Sequence, residues 1–281
     1  MVNINSSRIA TGFVFILIYA ALAMAQPFDL RPKFIEGQEL TFSETQNIKV
    51  TSDYMPGSDQ SFVLKSVFTQ KVEEVTEEGD IRLVITIRQS QLEGETRPPQ
   101  RMDYANLIGF PITVLLDSQL RVKKISPPQN LPESAQYDYS RFKQLYYNLS
   151  PDSQLPDRLI AVGESWNNHQ TVSYEFMTAV FDQIQKLRST LKEETLFSGR
   201  PSFVIDFEGN FSGSISEGMN GTIEGTFNGQ RTMDKESGQD IQIEMEITQN
   251  MHVITDQGDM NYQIGVSLVR QLANEDAVAI Q

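Results

Sequence analysis

The side chains best placed to do chemistry in this sequence are its two histidines, His169 and His252, and Ser165 within Gly163-Glu164-Ser165-Trp166-Asn167. A serine nucleophile needs a histidine base against it and an acid to orient that base. The stretch lacks the second glycine of a G-x-S-x-G elbow, and no strand-to-helix turn surrounds it. His252 stands in an alternating run between Met251 and Val253, which points it to solvent. The chain has no cysteine and no H-x-x-x-H spacing, so zinc and redox metal sites have no basis.

Oxygen ligands for a metal are no better marked. Asp206-Phe207-Glu208-Gly209-Asn210 superficially matches a calcium loop, and Glu217 falls twelfth from Asp206. The glycine stands at the wrong position, and the surrounding alternation favours a turn. Glu73-Glu74 and Glu77-Glu78 flank a turn, where a solvated charge run is expected. No spacing singles out a carboxylate pair for glycoside hydrolysis. Gly209, Gly213, Gly218, Gly221 and Gly225 lack the Lys-Ser/Thr end of a phosphate loop. The Asn210 and Asn220 sequons would matter only in a eukaryotic secretory pathway, and the one at Asn148 is followed by Pro151. No catalytic residue, metal ligand, cofactor or ligand-binding residue is therefore assigned.

The N-terminus carries the clearest functional message. Arg8 precedes an apolar run from Ile9 to Leu22, and Ala23-Met24-Ala25 supplies the small residues a signal peptidase reads. Residues 1–25 are expected to be a signal peptide cut between Ala25 and Gln26. The rival is an uncleaved anchor, which the run is short to form, since a span needs ~20 residues. That anchor would be the only membrane contact. Without cysteine no lipid can be attached at the cleavage site. Export to the periplasm or the extracellular space follows as the expectation.

Cleavage removes only Arg8 among the charged residues, so the net charge moves from -14 to -15. An acidic chain lacks the cationic face that nucleic acid or an anionic lipid surface needs, so nucleic acid is excluded as a partner. The remaining length can bury a substantial core as one β-rich domain over residues 26–273, with 274–281 a frayed tail.

Strand signals dominate. Pro27 to Lys33 reads as a linker, and Glu39 to Val50 as the first strand. Ser61 to Glu77 reads as a long strand with a bulge, because its apolar residues switch parity. Ile81, Leu83, Ile85 and Ile87 alternate with Arg82, Thr86 and Arg88, which marks a sheet with one dry face. Ile112–Leu116 and Leu120–Ile125 flank the turn at Asp117-Ser118. Phe142, Leu145, Tyr146 and Leu149 form one apolar stripe on an expected helix from Ala135 to Leu149. Phe176 to Leu191 fits helix and strand spacing alike, with Gln185 to Leu196 read as strand. Glu208-Gly209-Asn210 reads as a tight turn or bulge, and the Gly-rich run Phe211 to Gly229 as bent strands. Ile241–Ile247 and Tyr262–Leu268 alternate cleanly.

Gly163-Glu164-Ser165-Trp166 echoes Glu36-Gly37-Gln38-Glu39-Leu40, and Asp234-Lys235-Glu236-Ser237-Gly238 echoes the Asp117 turn. The order of elements thus repeats over about 34–150 and 160–273. The fold class is mainly β: a large curved antiparallel sheet or half-open barrel built from two similar halves, with at least one covering helix. On these residues the chain resembles a family of exported bacterial β-rich proteins of unknown function whose second half opens on a Gly-acid-Ser/Thr-Trp step. At the level of architecture it is similar to periplasmic lipoprotein carriers, whose curved sheet holds acyl chains under a helical lid. That resemblance implies a non-enzymatic envelope protein binding a lipid or other apolar or amphipathic ligand. An envelope scaffold without a small ligand, and an exported hydrolase, are the alternatives.

Overall fold

The computed structural model describes residues 27–53, 59–94, 103–149, 155–176, 179–217, 220–255 and 258–273. The cleavage site at Ala25 and Gln26 and the tail 274–281 lie outside the described residues. The strands are β1 (Glu39–Ser52), β2 (Gln60–Val75), β3 (Ile81–Gly94), β4 (Pro111–Leu116) and β5 (Val122–Ser126). After the helix α1 (Gln136–Leu149) come β6 (Ser165–Phe176), β7 (Ala179–Phe197), β8 (Arg200–Ser216), β9 (Asn220–Asp234), β10 (Asp240–Thr255) and β11 (Gly258–Leu272). They form one 11-stranded antiparallel sheet in the order β5-β4-β3-β2-β1-β11-β10-β9-β8-β7-β6. The sheet is curved and unclosed: β5 and β6 are its two margins. Among the described residues no helix is long and apolar enough to cross a membrane.

Strict alternation shapes most of this sheet. Ile81, Leu83, Ile85 and Ile87 are buried on one face of β3 while Arg82 and Arg88 are exposed on the other. The parity switch in β2 is a real irregularity, with register shifts at Val67/Phe68 and Val72/Glu74. The ambiguous run 176–191 is strand from Ala179 onward, because it pairs with β6 on one side and β8 on the other.

The turn expected at Glu208-Gly209-Asn210 is not there. Gly209 lies inside β8, between Leu187 of β7 and Phe227 of β9. The register explains why a glycine sits there. Along β8–β9 the cross-strand pairs Phe207↔Gly229, Gly209↔Phe227, Phe211↔Gly225, Gly213↔Ile223 and Ile215↔Gly221 set one large residue against one glycine each time. A Cβ at Gly209 would come 2.8 Å from Cε2 of the Phe227 ring and closer still to its Cζ. Missing side chains give the rings room to lie across the neighbouring strand, and glycines at such sites let a sheet bend sharply.

The inward face is largely filled. One cluster of buried residues under α1 includes Ile48, Phe62, Leu83, Ile85, Ile112 and Tyr139. Others gather around Phe181 and Phe211, around Trp166 and Ile205, and around Phe207 and Met245. From α1, Phe142 and Tyr146 pack on the first cluster, and the Tyr139 hydroxyl donates to the Ile125 carbonyl at 3.0 Å. The side chains of Leu145 and Leu149 lie outside the described residues. The segment read as a linker is also packed: Phe28 and Ile160 exchange backbone hydrogen bonds at 2.8 and 2.9 Å, and Leu30 is buried.

Turns recur in matched form. Gly37 (φ 83°) and Gly163 (φ 85°) adopt the left-handed conformation that glycine tolerates. Gly37 N donates to Val72 O while Val72 N donates to Gln38 O; Gly163 N donates to Leu191 O while Leu191 N donates to Glu164 O. A register shift follows each docking point, at Val72/Glu74 and at Leu191/Glu193. Asp117 accepts from the backbone N–H groups of Gln119 and Arg121, and Asp234 from those of Glu236 and Ser237.

A candidate ligand cavity at the open margin of the sheet

β1 starts where β2 ends, β3 starts beside the end of β2, and β4 ends opposite the start of β3. The β2–β3 turn, the β4–β5 turn and the start of β6 therefore lie at one end of the sheet. There the curvature brings the two margins around a half-open cavity of about 870 Å³. From the first margin come Ile81, Gly79, Ser118, Leu120 and Arg121; from the second come Trp166, Asn168, Gln170, Gln185 and Leu187. The segment Asp29–Phe34 and the connection Leu155–Arg158 complete the wall.

Each wall follows from local sequence. On β6, Trp166, Asn168 and Gln170 share one parity, so one face of the strand presents an indole and then two amides. Trp166 is buried against Leu30, Ile160 and Leu191 and also borders the cavity. On β7, Gln183, Gln185 and Leu187 are buried on the same face. The Gln170 amide donates to Gln185 Oε1 at 2.7 Å, which fixes the amide orientation across the β6–β7 pair. Apolar walls with a few oriented polar groups are the usual make-up of a small-molecule site, and such sites span ≈ 300–1,000 Å³.

The rim is charged and pre-oriented. Arg31 donates to Asp29 through Nε and Nη2, at 2.9 and 2.6 Å. That hydrogen bond holds the Asp29 carboxyl below its usual range and raises Arg31. Arg121 Nε donates to Asp117 Oδ2 at 2.7 Å. Partial burial pushes the Asp117 carboxyl upward, but the Arg121 and Gln119 hydrogen bonds together outweigh it and hold the group low. Arg158 Nη1 lies 2.5 Å from Glu164 Oε1, and the Ala161 N–H donates to the other oxygen at 3.0 Å. The Ala161 contact, then the Arg158 contact, lower Glu164.

The residues singled out for chemistry do not assemble. Ser165 Oγ shares a 2.8 Å hydrogen bond with Thr190 Oγ1. His169 lies four residues further along the same strand, about 13 Å away at 3.3 Å per residue, too far to take its proton. His252 Nδ1 meets Asn261 Oδ1 at 2.9 Å and its Nε2 lies 3.6 Å from Asp259. It stands on the outward face of β10, as its parity requires. Asp206 lies 3.1 Å from Lys192 and accepts from Gln230 at 2.8 Å, while Glu208 is exposed on the same strand. Only His169 borders the cavity, and its residue is exposed.

Polar groups also stand on the inward face away from the cavity. Arg270 Nη2 lies 2.7 Å from the buried Glu44, which accepts from Gln46 at 2.6 Å. Beneath α1, burial pushes the Tyr104 hydroxyl up to about 12, and the Arg141 guanidinium stacks 5.1 Å from that ring's centre. Burial likewise raises Asp138, which accepts from the backbone and side chain of Asn106 at 3.2 and 3.0 Å. The Arg141–Tyr104 and Asp138–Asn106 contacts tie α1 to the connection between β3 and β4.

Comparison with protein-family models and with curated proteins returns no match to this chain.

Proposed function

We propose that this is a non-enzymatic binding protein of the bacterial envelope, holding one amphipathic small molecule in the cavity between the sheet margins. The observation that carries the reading is the cavity's make-up: Trp166, Leu187, Leu120 and Ile81 as apolar wall, Gln170 and Gln185 as oriented amides, arginines at the rim. Its volume matches one drug-sized ligand. Buried clusters occupy much of the inward face, so the ligand is held at the open end of the sheet and not along a continuous hollow. Export as a soluble protein after removal of residues 1–25 agrees with the polar outward faces of β8 to β10, which carry Glu208, Asn210, Asn228, Glu244 and Glu246. A membrane barrel turns apolar residues outward.

The two-halves reading belongs with this proposal. The equivalent docking of Gly37 on Val72 and Gly163 on Leu191 supports it, as do the Asp117 and Asp234 turns. In that reading the cavity forms where turns of the first half meet the first strand of the second.

Native mass spectrometry of protein purified from its own cells tests the function. A bound small molecule is expected, lost when Gln185→Trp fills the cavity. A ligand-free protein under gentle ionisation, with unchanged spectra for that variant, contradicts the reading.

A further inference from the structure

We infer that the ligand is an amphiphile with an anionic head, its tail against Trp166 and Leu187 and its head at Arg31, Arg121 and Arg158. The inference rests on the binding reading above and specifies its ligand.

Charge distribution is the first argument. The whole chain has 37 acidic residues against 23 basic ones, yet the cavity is bordered by four cations (Arg31, Lys33, Arg121, Arg158) and two acids, Asp29 and Asp157. Counting Asp117 and Glu164, which pair with Arg121 and Arg158, the mouth is charge-balanced, so on this acidic protein it repels an anion less than the net charge of the whole chain would.

Orientation is the second. Each of the three guanidiniums is held by a carboxylate of its own turn or connection: Asp29, Asp117 and Glu164. Arg121 gives only Nε to Asp117, so its Nη groups remain for a second acceptor. Arg158 gives Nη1 to Glu164 and to the Leu159 carbonyl, leaving Nη2. Guanidinium offers five N–H donors in a planar fork, suited to carboxylate or phosphate oxygens. Positions are fixed in advance, so an incoming head loses little on ordering them.

Shape is the third. The apolar wall lies inside the arginine rim, the order in which a tail and a head would enter. A cavity of about 870 Å³ has room for a hydrocarbon tail and falls within the ≈ 300–1,000 Å³ of small-molecule sites.

Trp166 is the only tryptophan, so its fluorescence reports the cavity in the full mature protein. Decanoate, decanol and decyltrimethylammonium are titrated below their aggregation limits, with calorimetry in parallel. Decanoate should shift Trp166 emission and bind roughly tenfold more tightly than decanol, with the difference shrinking at high salt. Arg121→Gln and Arg158→Gln should each weaken decanoate about 3- to 10-fold and leave decanol unchanged. If decanol or the cationic probe binds as well as decanoate, or the variants weaken all three equally, the anionic head is overturned and the binding reading stands. If none of the three binds by either method, both fall.

Discussion

The ring of Phe207 on β8 lies over Gly229, its cross-strand partner on β9, so closely that a Cβ on the glycine would come 2.6 Å from Cζ. The same exchange of ring for hydrogen repeats along the pair and lets this part of the sheet curl tightly. Curl is what carries β6 around to the turns of the opposite margin, so these glycines act on the cavity from a distance.

Gly229→Ala should therefore destabilise the protein by ~1–3 kcal/mol, the usual cost of overpacking. Its Cβ has backbone as well as ring against it, so the neighbours cannot simply rotate away. Equilibrium urea unfolding checks this, and an unchanged midpoint would mean that the close approach is not there.

Trp166→Ala should cost ~3–5 kcal/mol, since the indole is buried among Leu30, Ile160 and Leu191. Trp166→Phe should keep most of that stability. Thermal and denaturant melts of the two variants distinguish a core anchor from a side chain present only for ligand.

Asp240→Ala should be among the most damaging single changes, by ~3–5 kcal/mol. Arg231 is buried, its Nη2 donates to Asp240 Oδ2 at 2.9 Å and its Nε lies 2.7 Å from Oδ1. Removing the carboxylate strands a buried cation. Joint replacement by Arg231→Met and Asp240→Leu should cost less than Asp240→Ala alone, measured by the same unfolding curves.

Acid should weaken the protein through its two Asp turns. Burial pushes Asp234 upward, but hydrogen bonds from the Ser237 N–H and hydroxyl and the Glu236 N–H outweigh it, so the folded group titrates below its usual 3.8. A folded pKa that is lowered gives stability present above the unfolded value and lost as pH falls through the folded one. Asp117 behaves alike. Asp138 works in the opposite sense: its raised pKa favours the folded state at low pH, and that gain is lost as pH rises above 3.8. Asp234→Asn should flatten the fall in melting temperature below pH 4, and an unaltered pH profile would contradict the assignment.

Legibility followed face polarity. β3 and β10 declared themselves because apolar and polar residues alternate at Ile81–Ile87, with Val84 as the one exception, and at Ile241–Ile247 throughout. β7 did not, because its buried face carries Gln183, Gln185 and Ser189 while Val180 and Ile184 stand on the other. Those buried amides border the candidate cavity or adjoin it, so the feature that blurred the strand signal belongs to the candidate site. Gly209 looked like a turn because a glycine's use as space for a facing Phe227 depends on register. The cavity itself had no local signature. Arg31, Arg121, Trp166 and Gln185 meet only through the curl of the whole sheet, and Arg31 lay in a stretch that reads as a linker.

Photo-crosslinking with a diazirine-bearing fatty acid, followed by peptide mapping of the mature protein, tests the binding site most directly. The label should fall on the strands and turns that border the cavity, at Trp166–Gln170, Gln185–Leu187 and Ser118–Arg121, and unlabelled decanoate should compete it away. Label spread over the outward faces of β8 to β10, or insensitive to the competitor, would contradict the cavity as the protein's working site.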